Sequence, residues 1–120
     1  MLERIEDLPE GVIGFRATGE LTADDYDRVL IPAVEQALEE HEKVRMLYVL
    51  GDGFEGVTSG AMWDDTKLGM AHITKWEKLA LVSDVDWLRH AVVLLGYLMP
   101  GHMKAFTTAE LDDARAWVVE

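Results

Sequence analysis

The chain has 120 residues, of which 49% are apolar, no cysteine, and a formal net charge of −12 at pH 7. This length supports one domain with its own hydrophobic core, and the missing cysteines exclude disulfides, zinc–thiolate sites and thiol catalysis. The excess of acids would repel nucleic-acid phosphates and anionic lipid surfaces. We therefore expect one acidic domain over residues 1–120 that binds no nucleic acid and carries no cofactor.

The sequence also indicates where the protein works. The first eleven residues, MLERIEDLPEG, are acidic and lack the basic flank and apolar run of a signal peptide. The longest apolar stretch, Ala91–Met99, is much shorter than the roughly 20 residues that a membrane-spanning helix needs. We expect a cytoplasmic protein without membrane insertion.

The N-terminal residues predict a hairpin. Apolar and charged residues alternate in Leu2–Leu8, a Pro9-Glu10-Gly11 turn follows, and Val12–Thr18 continues as a second strand. This pattern is typical of an antiparallel pair at the edge of a sheet, where alternate side chains face water.

A helix pattern begins next. Thr22 is a good N-cap, Asp24 and Asp25 suit the first turn, and apolar residues then recur with helical spacing. Pro32 lies inside this helix. Because proline lacks a backbone N–H and crowds the preceding turn, we expect a kink or break near Leu30–Ile31.

Two short apolar runs, Met46–Leu50 and Leu79–Val82, are typical of strands that are covered on both faces. Between them we predict a glycine-rich loop, Gly51–Gly56, and a helix over residues 58–74. That loop follows the carboxyl end of a strand, where open α/β sheets usually bind ligands.

The last third of the chain repeats the strand–helix rhythm. We expect Ser83 or Asp84 to cap a third helix that stops at Pro100-Gly101, and 103–106 to form the last strand. Thr107 and Glu110 predict a capping box for a final helix. The order is ββαβαβαβα, which indicates a mostly parallel α/β sheet with right-handed crossovers and an antiparallel N-terminal edge strand.

Several stretches together resemble the SpoIIAA-like family, also described as STAS/SEC14-domain proteins, over nearly the whole chain. They are DYDRVLIPAVEQALEEHEKVRMLYVL, the Trp63-Asp64-Asp65-x-Lys67-Leu68-Gly69 segment, LVSDVDW and KAFTTAELDDARAWV. The resemblance implies a SpoIIAA-like β-α superhelix, shared with anti-anti-sigma factors and lipid-carrying SEC14 domains. Those relatives are mostly binding and regulatory modules rather than enzymes.

Two features suggest binding sites. Phe54, Trp63 and Trp87 could converge on a small aromatic-walled cleft for an apolar ligand, or the two tryptophans could simply fill the core. In anti-anti-sigma factors a serine followed closely by glycine, at the start of the second helix, is phosphorylated. The resemblance makes Ser59 the matching candidate here, and plain helix capping by Thr58 or Ser59 is the alternative.

Catalytic groups are poorly represented. Asp64, Asp65 and His72 offer the best acid–base or metal set, but Asp65 and His72 are two helical turns apart, about 10 Å along the axis. The aspartates are better explained as acids in the first turn of a helix, where their negative charge interacts favourably with the helix dipole. We expect no metal site and no enzyme activity.

The third helix is apolar all the way round between Ala91 and Met99, whereas a surface helix should have one polar side. Another subunit or an apolar ligand could cover the second apolar side, or the helix could be central and flanked by its neighbours. We favour the first and expect Leu95, Leu98 and Met99 to contact a second copy in a two-fold homodimer. The function that follows is a non-enzymatic, dimeric binding or regulatory module that admits a small apolar or lipid-like ligand. The alternative is a phosphorylation-controlled switch that binds a regulatory protein through Ser59.

Overall fold

The computed structural model describes residues 1–71, 74–98 and 100–120. Its strands are β1 (Leu2–Ile5), β2 (Val12–Leu21), β3 (Val44–Val57), β4 (Trp76–Ser83) and β5 (His102–Phe106). Its α-helices are α1 (Ala23–Asp25), α2 (Ile31–Glu40), α3 (Ser59–Ala71), α4 (Asp86–Gly96) and α5 (Leu111–Val119). A π-helical turn (Tyr26–Leu30) joins α1 to α2, and a 3₁₀ turn (Thr108–Glu110) precedes α5.

The strands form one sheet in the order β1-β2-β3-β4-β5. β1 is antiparallel to β2, and the other neighbours are parallel. The predicted element order and the antiparallel edge strand are therefore confirmed. Because right-handed crossovers between consecutive parallel strands all return on the same side, the helices that connect β2 to β5 cover one face of the sheet.

Each central strand supplies side chains to both faces, as its continuous apolar pattern predicts. Met46, Tyr48 and Leu50 join the larger core, which includes the buried residues of α2, α3 and α4. Leu47 and Val49 point to the other face, where they pack with α5. The sheet is thus covered by helices on both sides, with most of them on the face of the larger core.

The N-terminal hairpin closes as expected. The Val12 N–H donates to the Pro9 carbonyl at 3.1 Å, and Gly11 adopts a φ of 87°, which glycine accepts without strain. The Arg45 N–H then donates to the Gly11 carbonyl, which ties this turn to β3. The hairpin is therefore joined to the sheet along its second strand.

The glycine-rich segment is not a loop, so this prediction is wrong. β3 continues through it to Val57 and pairs with the end of β2, with Gly19 opposite Phe54 and Leu21 opposite Val57. Two register shifts absorb the extra residues of β3. The partner strand decided the outcome, because β2 is long enough to satisfy the backbone groups of this segment.

The helix caps agree with the sequence at two of three places. Capping boxes are present at Thr22 with Asp25 and at Thr107 with Glu110. The third helix differs, because its N-cap is Val85 and carries no side-chain cap. Asp84 instead accepts hydrogen bonds from the N–H and hydroxyl of Thr108, at 2.9 and 2.6 Å, and so joins the end of β4 to the turn before α5.

Pro32 does not break its helix, but it changes the winding just before it. The chain forms a π-helical turn in which the Ile31 N–H bonds to the Tyr26 carbonyl, five residues back. Proline has no N–H to donate to the carbonyl of Arg28, four residues before it, so a regular α-helix would leave that carbonyl unpaired. The wider π-helical turn accommodates this gap in the hydrogen-bond pattern.

Within the described residues, no helix is long and apolar enough to cross a lipid bilayer.

A close backbone approach after α4 makes Gly101→Ala destabilising. A Cβ at Gly101 would lie 2.2 Å from the carbonyl oxygen of Trp76, so the backbone would have to move. We expect a loss of about 2–3 kcal/mol in the free energy of unfolding, measured by urea denaturation. Gly51→Ala is the matched control, because its Cβ would meet nothing closer than 3.9 Å. Equal losses in the two variants would contradict this account.

Candidate functional site

The candidate site is an apolar pocket of about 270 Å³ between α4 and the larger-core face of the sheet. Apart from two tyrosine hydroxyls and the Trp87 indole, its side chains are hydrocarbon or thioether. Its lining consists of Leu21, Tyr26, Met46, Tyr48, Leu50, Met62, Leu79, Leu81, Trp87, Leu88, Ala91, Val92 and Leu95. We call this cavity the apolar pocket.

Secondary-structure periodicity places the walls of the apolar pocket. Alternate residues of β3 and β4 point to the same face, so residues 46, 48 and 50 lie beside residues 79 and 81. Leu88 and Val92 are one helical turn apart on α4 and face the sheet from above. The pocket therefore lies where a helix and two parallel strands do not fully close on each other.

The polar groups of the wall are largely paired within it. Tyr26 and Tyr48 are 3% and 6% exposed, and their hydroxyl oxygens are 2.9 Å apart, a hydrogen-bonding distance. Tyr26 belongs to the π-helical turn, so the unusual winding before Pro32 helps to position this hydroxyl. The pair makes a buried polar spot in an otherwise apolar wall.

The mouth of the apolar pocket is formed by exposed side chains. Met62 on α3 is 52% exposed, whereas Trp87 and Leu95 on α4 are 56% and 48% exposed. α3 packs against α1 and the π-helical turn, while α4 packs against β4 and β5. The opening therefore lies between two helices that pack against different elements of the fold.

The three aromatic residues that were predicted to form a cleft lie in different environments. Trp87 lines the apolar pocket, but Phe54 packs against the larger core and Trp63 is 64% exposed on α3. Neither Phe54 nor Trp63 is among the residues described as lining this pocket, so the three do not converge there. The alternative that both tryptophans fill the core is wrong, because both are more than half exposed.

The outer side of α4 is unusually apolar for a surface. Leu95 and Leu98, which the sequence predicts at a dimer contact, are 48% and 77% exposed, and Leu94 and Tyr97 beside them are 66% and 83% exposed. Met99, the third predicted contact, lies outside the described residues. A single copy of the chain therefore leaves these large side chains in water.

Ser59 is exposed at the first position of α3. The capping role belongs to its neighbour Thr58, whose hydroxyl accepts from the Ala61 N–H at 3.2 Å. Gly60 follows because the start of α3 lies close to α1, where a Cβ would be 3.2 Å from that of Ala23. The serine hydroxyl is thus accessible beside the positive end of a helix dipole.

Asp64 is a buried carboxylate, with 8% exposure, and its Oδ2 has no hydrogen-bond partner among the described residues. Lys67 lies 3.6 Å from its other oxygen. A hydrogen bond with Asp64, together with desolvation and the negative charge of Asp64, raises the pKa of Asp27 on the π-helical turn. The side chain of Asp65 and the whole of His72, the other two members of the set considered for acid–base chemistry, lie outside the described residues.

A second cluster escaped the sequence analysis. His41 Nε2 lies 4.0 Å from Glu10 Oε1, and the ligand atoms of Glu10, Glu40 and His41 lie within 4.8 Å of one another. Glu10 belongs to the hairpin turn whereas the other two end α2, so no local spacing could have indicated their approach. Both glutamates are exposed, and we interpret the cluster as a loose surface contact.

Comparison with known proteins agrees with this architecture. The sequence model of the SpoIIAA-like family matches residues 12–119. The crystal structure of an uncharacterized protein with a SpoIIAA-like fold from Shewanella loihica PV-4 is similar, with a TM-score of 0.78 and 25% identity over 98% of this chain and 92% of that one. A comparison with curated proteins finds no match.

The acid pair predicts a pH-dependent gain from Asp27→Asn. A raised pKa means that the folded state holds the Asp27 proton more tightly than the unfolded chain, so its contribution to stability is lost as pH rises through the carboxyl range. The amide keeps a donor for Asp64 and removes the charge. We expect a higher urea midpoint at pH 7 and a smaller difference below about pH 4.

Glu3→Gln, at an exposed position of β1, is the matched control and should not show this pH dependence. A midpoint that falls at pH 7 in Asp27→Asn, or a gain of equal size at both pH values, would contradict the pairing of Asp27 with Asp64.

Proposed function

Because the chain belongs to the SpoIIAA-like family, we propose that it is a non-enzymatic, STAS/SEC14-type binding module that holds a small apolar ligand in the apolar pocket. The observation that carries the proposal is this cavity of about 270 Å³, which opens between Met62, Trp87 and Leu95. Ligand sites are typically concave and mostly apolar, with a few polar groups that orient the ligand.

The volume restricts the ligand. An apolar cavity of roughly 150 Å³ holds one benzene molecule. A pocket of about 270 Å³ therefore suits an apolar group of about ten to twelve carbon atoms, such as a short acyl or prenyl chain or a fused pair of rings. A longer lipid would place only part of its chain inside.

The lining also restricts the chemistry of the ligand. No charged side chain occurs among the described lining residues, so an ionised group inside the pocket would lose its hydration without compensation. A ligand with a charged head would keep that head at the mouth. The paired hydroxyls of Tyr26 and Tyr48 make only a small polar spot in the wall, so the part of the ligand inside the pocket should be mostly apolar.

We take the module to be non-enzymatic because these two phenols are the titratable groups among the described lining residues. General acid–base catalysis at neutral pH needs groups with pKa values near the working pH, and a phenol ordinarily titrates near pH 10. We further propose that the module acts in the cytoplasm. We also propose that it is a homodimer, because single copies would expose Leu95 and Leu98 to water.

Binding can be tested with N-phenylnaphthylamine, a fluorescent probe whose naphthalene rings match the size of the pocket, while its phenyl ring would remain at the mouth. We expect the wild-type chain to bind one probe molecule, with an increase in probe fluorescence. Leu79→Trp puts a larger side chain into the cavity and should weaken binding by at least about tenfold.

Leu79→Met is the matched control, because it keeps the side-chain volume and should bind nearly as the wild type does. Circular dichroism of both variants reports whether the fold is kept. A wild-type chain that does not bind the probe, or a folded Leu79→Trp variant with unchanged affinity, would contradict the proposed site.

The second candidate function is a phosphorylation-controlled protein–protein switch, which the exposure of Ser59 favours. A phosphate on its hydroxyl would stand beside the free N–H groups that begin α3, where added negative charge is stabilised. The same charge would change the surface that α1 and α3 offer to a partner protein.

Ser59→Asp should leave the stability of the domain nearly unchanged, since Ser59 neither caps nor is buried. Thr58→Ala should cost about 1 kcal/mol, because it removes the N-cap bond to Ala61. Urea denaturation measures both values. A large loss in Ser59→Asp would show that the hydroxyl has a structural role and would count against the switch.

A further inference from the structure

Helix α4 has two apolar sides, and they serve different purposes. Leu88 and Val92 face the sheet inside the apolar pocket. On the outside, the residue pairs 87/91, 91/94, 91/95, 94/98 and 95/98 are three or four positions apart, so these five residues form one stripe along the helix and the turn that ends it. We call this stripe, Trp87, Ala91, Leu94, Leu95 and Leu98, the outer stripe.

The outer stripe belongs to a surface of the size that interfaces need. Three aromatic, three leucine, one valine and one methionine side chains on α3, on α4 and in the turn after α4 are between 48% and 83% exposed. With about 150–250 Å² for a large aromatic side chain, their exposed area is on the order of 900 Å². A standard interface buries about 800 Å² per partner, whereas the largest apolar patch of a typical monomer is about 300–600 Å².

The outer stripe is a place where charge does not oppose the approach of a second copy of the chain. The net charge of −12 makes two copies repel each other, so they can approach closely only through an uncharged surface. From Ala91 to Leu98 the helix and its terminal turn carry no charged side chain. Arg89 is directed away into its own chain, where it bonds to the Ser83 carbonyl at 2.8 Å and to Asp86.

The outer stripe and the mouth of the apolar pocket share residues. Trp87, Ala91 and Leu95 both line the cavity and belong to the stripe. We propose that a second copy of this chain packs its outer stripe against the first across a two-fold axis and covers the mouth of the apolar pocket, so that ligand binding and dimerisation strengthen each other. This inference rests on the proposed ligand site, and it adds the partner and the regulation of that site.

The physical basis of the link is the part of the ligand that a single copy leaves in water. A ligand of ten or more carbons in a pocket with an open mouth keeps some apolar surface hydrated, and a covering partner removes that surface from water. Thermodynamic linkage is reciprocal, so the ligand must tighten the dimer by the factor by which the dimer tightens the ligand. Couplings of this kind are typically about 5- to 150-fold.

The experiment compares the wild type with Leu98→Asp. Leu98 is 77% exposed and is not among the residues that line the pocket, so the change introduces a charge into the outer stripe and leaves the cavity walls intact. Sedimentation equilibrium gives the dimer dissociation constant with and without N-phenylnaphthylamine, and fluorescence titration gives the probe affinity. Val119→Asp is the matched control, because Val119 is an exposed apolar residue of α5, which packs on the opposite face of the sheet.

We expect a wild-type dimer that the probe tightens, and a monomeric Leu98→Asp variant whose probe affinity falls by about 5- to 150-fold. Val119→Asp should behave as the wild type in both measurements. A wild type that remains monomeric at tens of micromolar, or a dimeric Leu98→Asp variant, would overturn the inference.

The two proposals fail separately. A monomeric Leu98→Asp variant that binds the probe as tightly as the wild type would overturn the link between dimer and ligand while supporting the apolar pocket. A wild-type chain that binds no probe would contradict the pocket and the link together, and the oligomeric state would then be read from the sedimentation data alone.

Discussion

The structure depends on one topological constraint, which is that the strands lie side by side in the sheet in the order in which they occur along the chain. Right-handed crossovers then put every helical connection between β2 and β5 on the same face, and only α5, after the last strand, can cover the other. A sheet of this kind has no switch point, the usual place for ligands in open α/β sheets. The cavity arises instead along the seam between α3, which packs on α1 and the π-helical turn, and α4, which packs on β4 and β5.

The π-helical turn connects two parts of this seam. It carries Tyr26, whose hydroxyl bonds to Tyr48 in the wall of the apolar pocket, and Asp27, whose carboxyl faces Asp64 on α3. The turn is wider here because Pro32 has no N–H to donate, and the wider turn helps to position the Tyr26 hydroxyl in the wall of the pocket. The position of α3 over the mouth therefore depends on electrostatics at the turn as well as on hydrophobic packing. Helix α4 completes the seam with one apolar side toward the sheet and a second toward solvent, in a chain that is otherwise strongly acidic.

Local patterns predicted most of the architecture. Local signals in a short window of sequence predicted the hairpin turn at Pro9-Glu10-Gly11, the N-cap at Thr22, the capping box at Thr107 and the two-sided burial of β3 and β4. The exposure of Leu95 and Leu98 could also be predicted from the sequence, because a helix that is apolar on every side has more apolar surface than one small domain can bury. These elements and their order could be derived from the chain before any coordinates were known.

Pairing between distant segments was beyond such reasoning. The length of β2 decided the extension of β3 to Val57. Asp84 joins the end of β4 to the turn before α5 through Thr108, which is 24 residues further along the chain. The apolar pocket combines residues from six elements, and the approach of Glu10 to His41 joins a turn to a helix end. Composition and periodicity state which side chains are apolar and which way a strand or helix presents them. They do not state how far two packed elements stand apart, and that distance is what makes a cavity, a mouth and an exposed stripe.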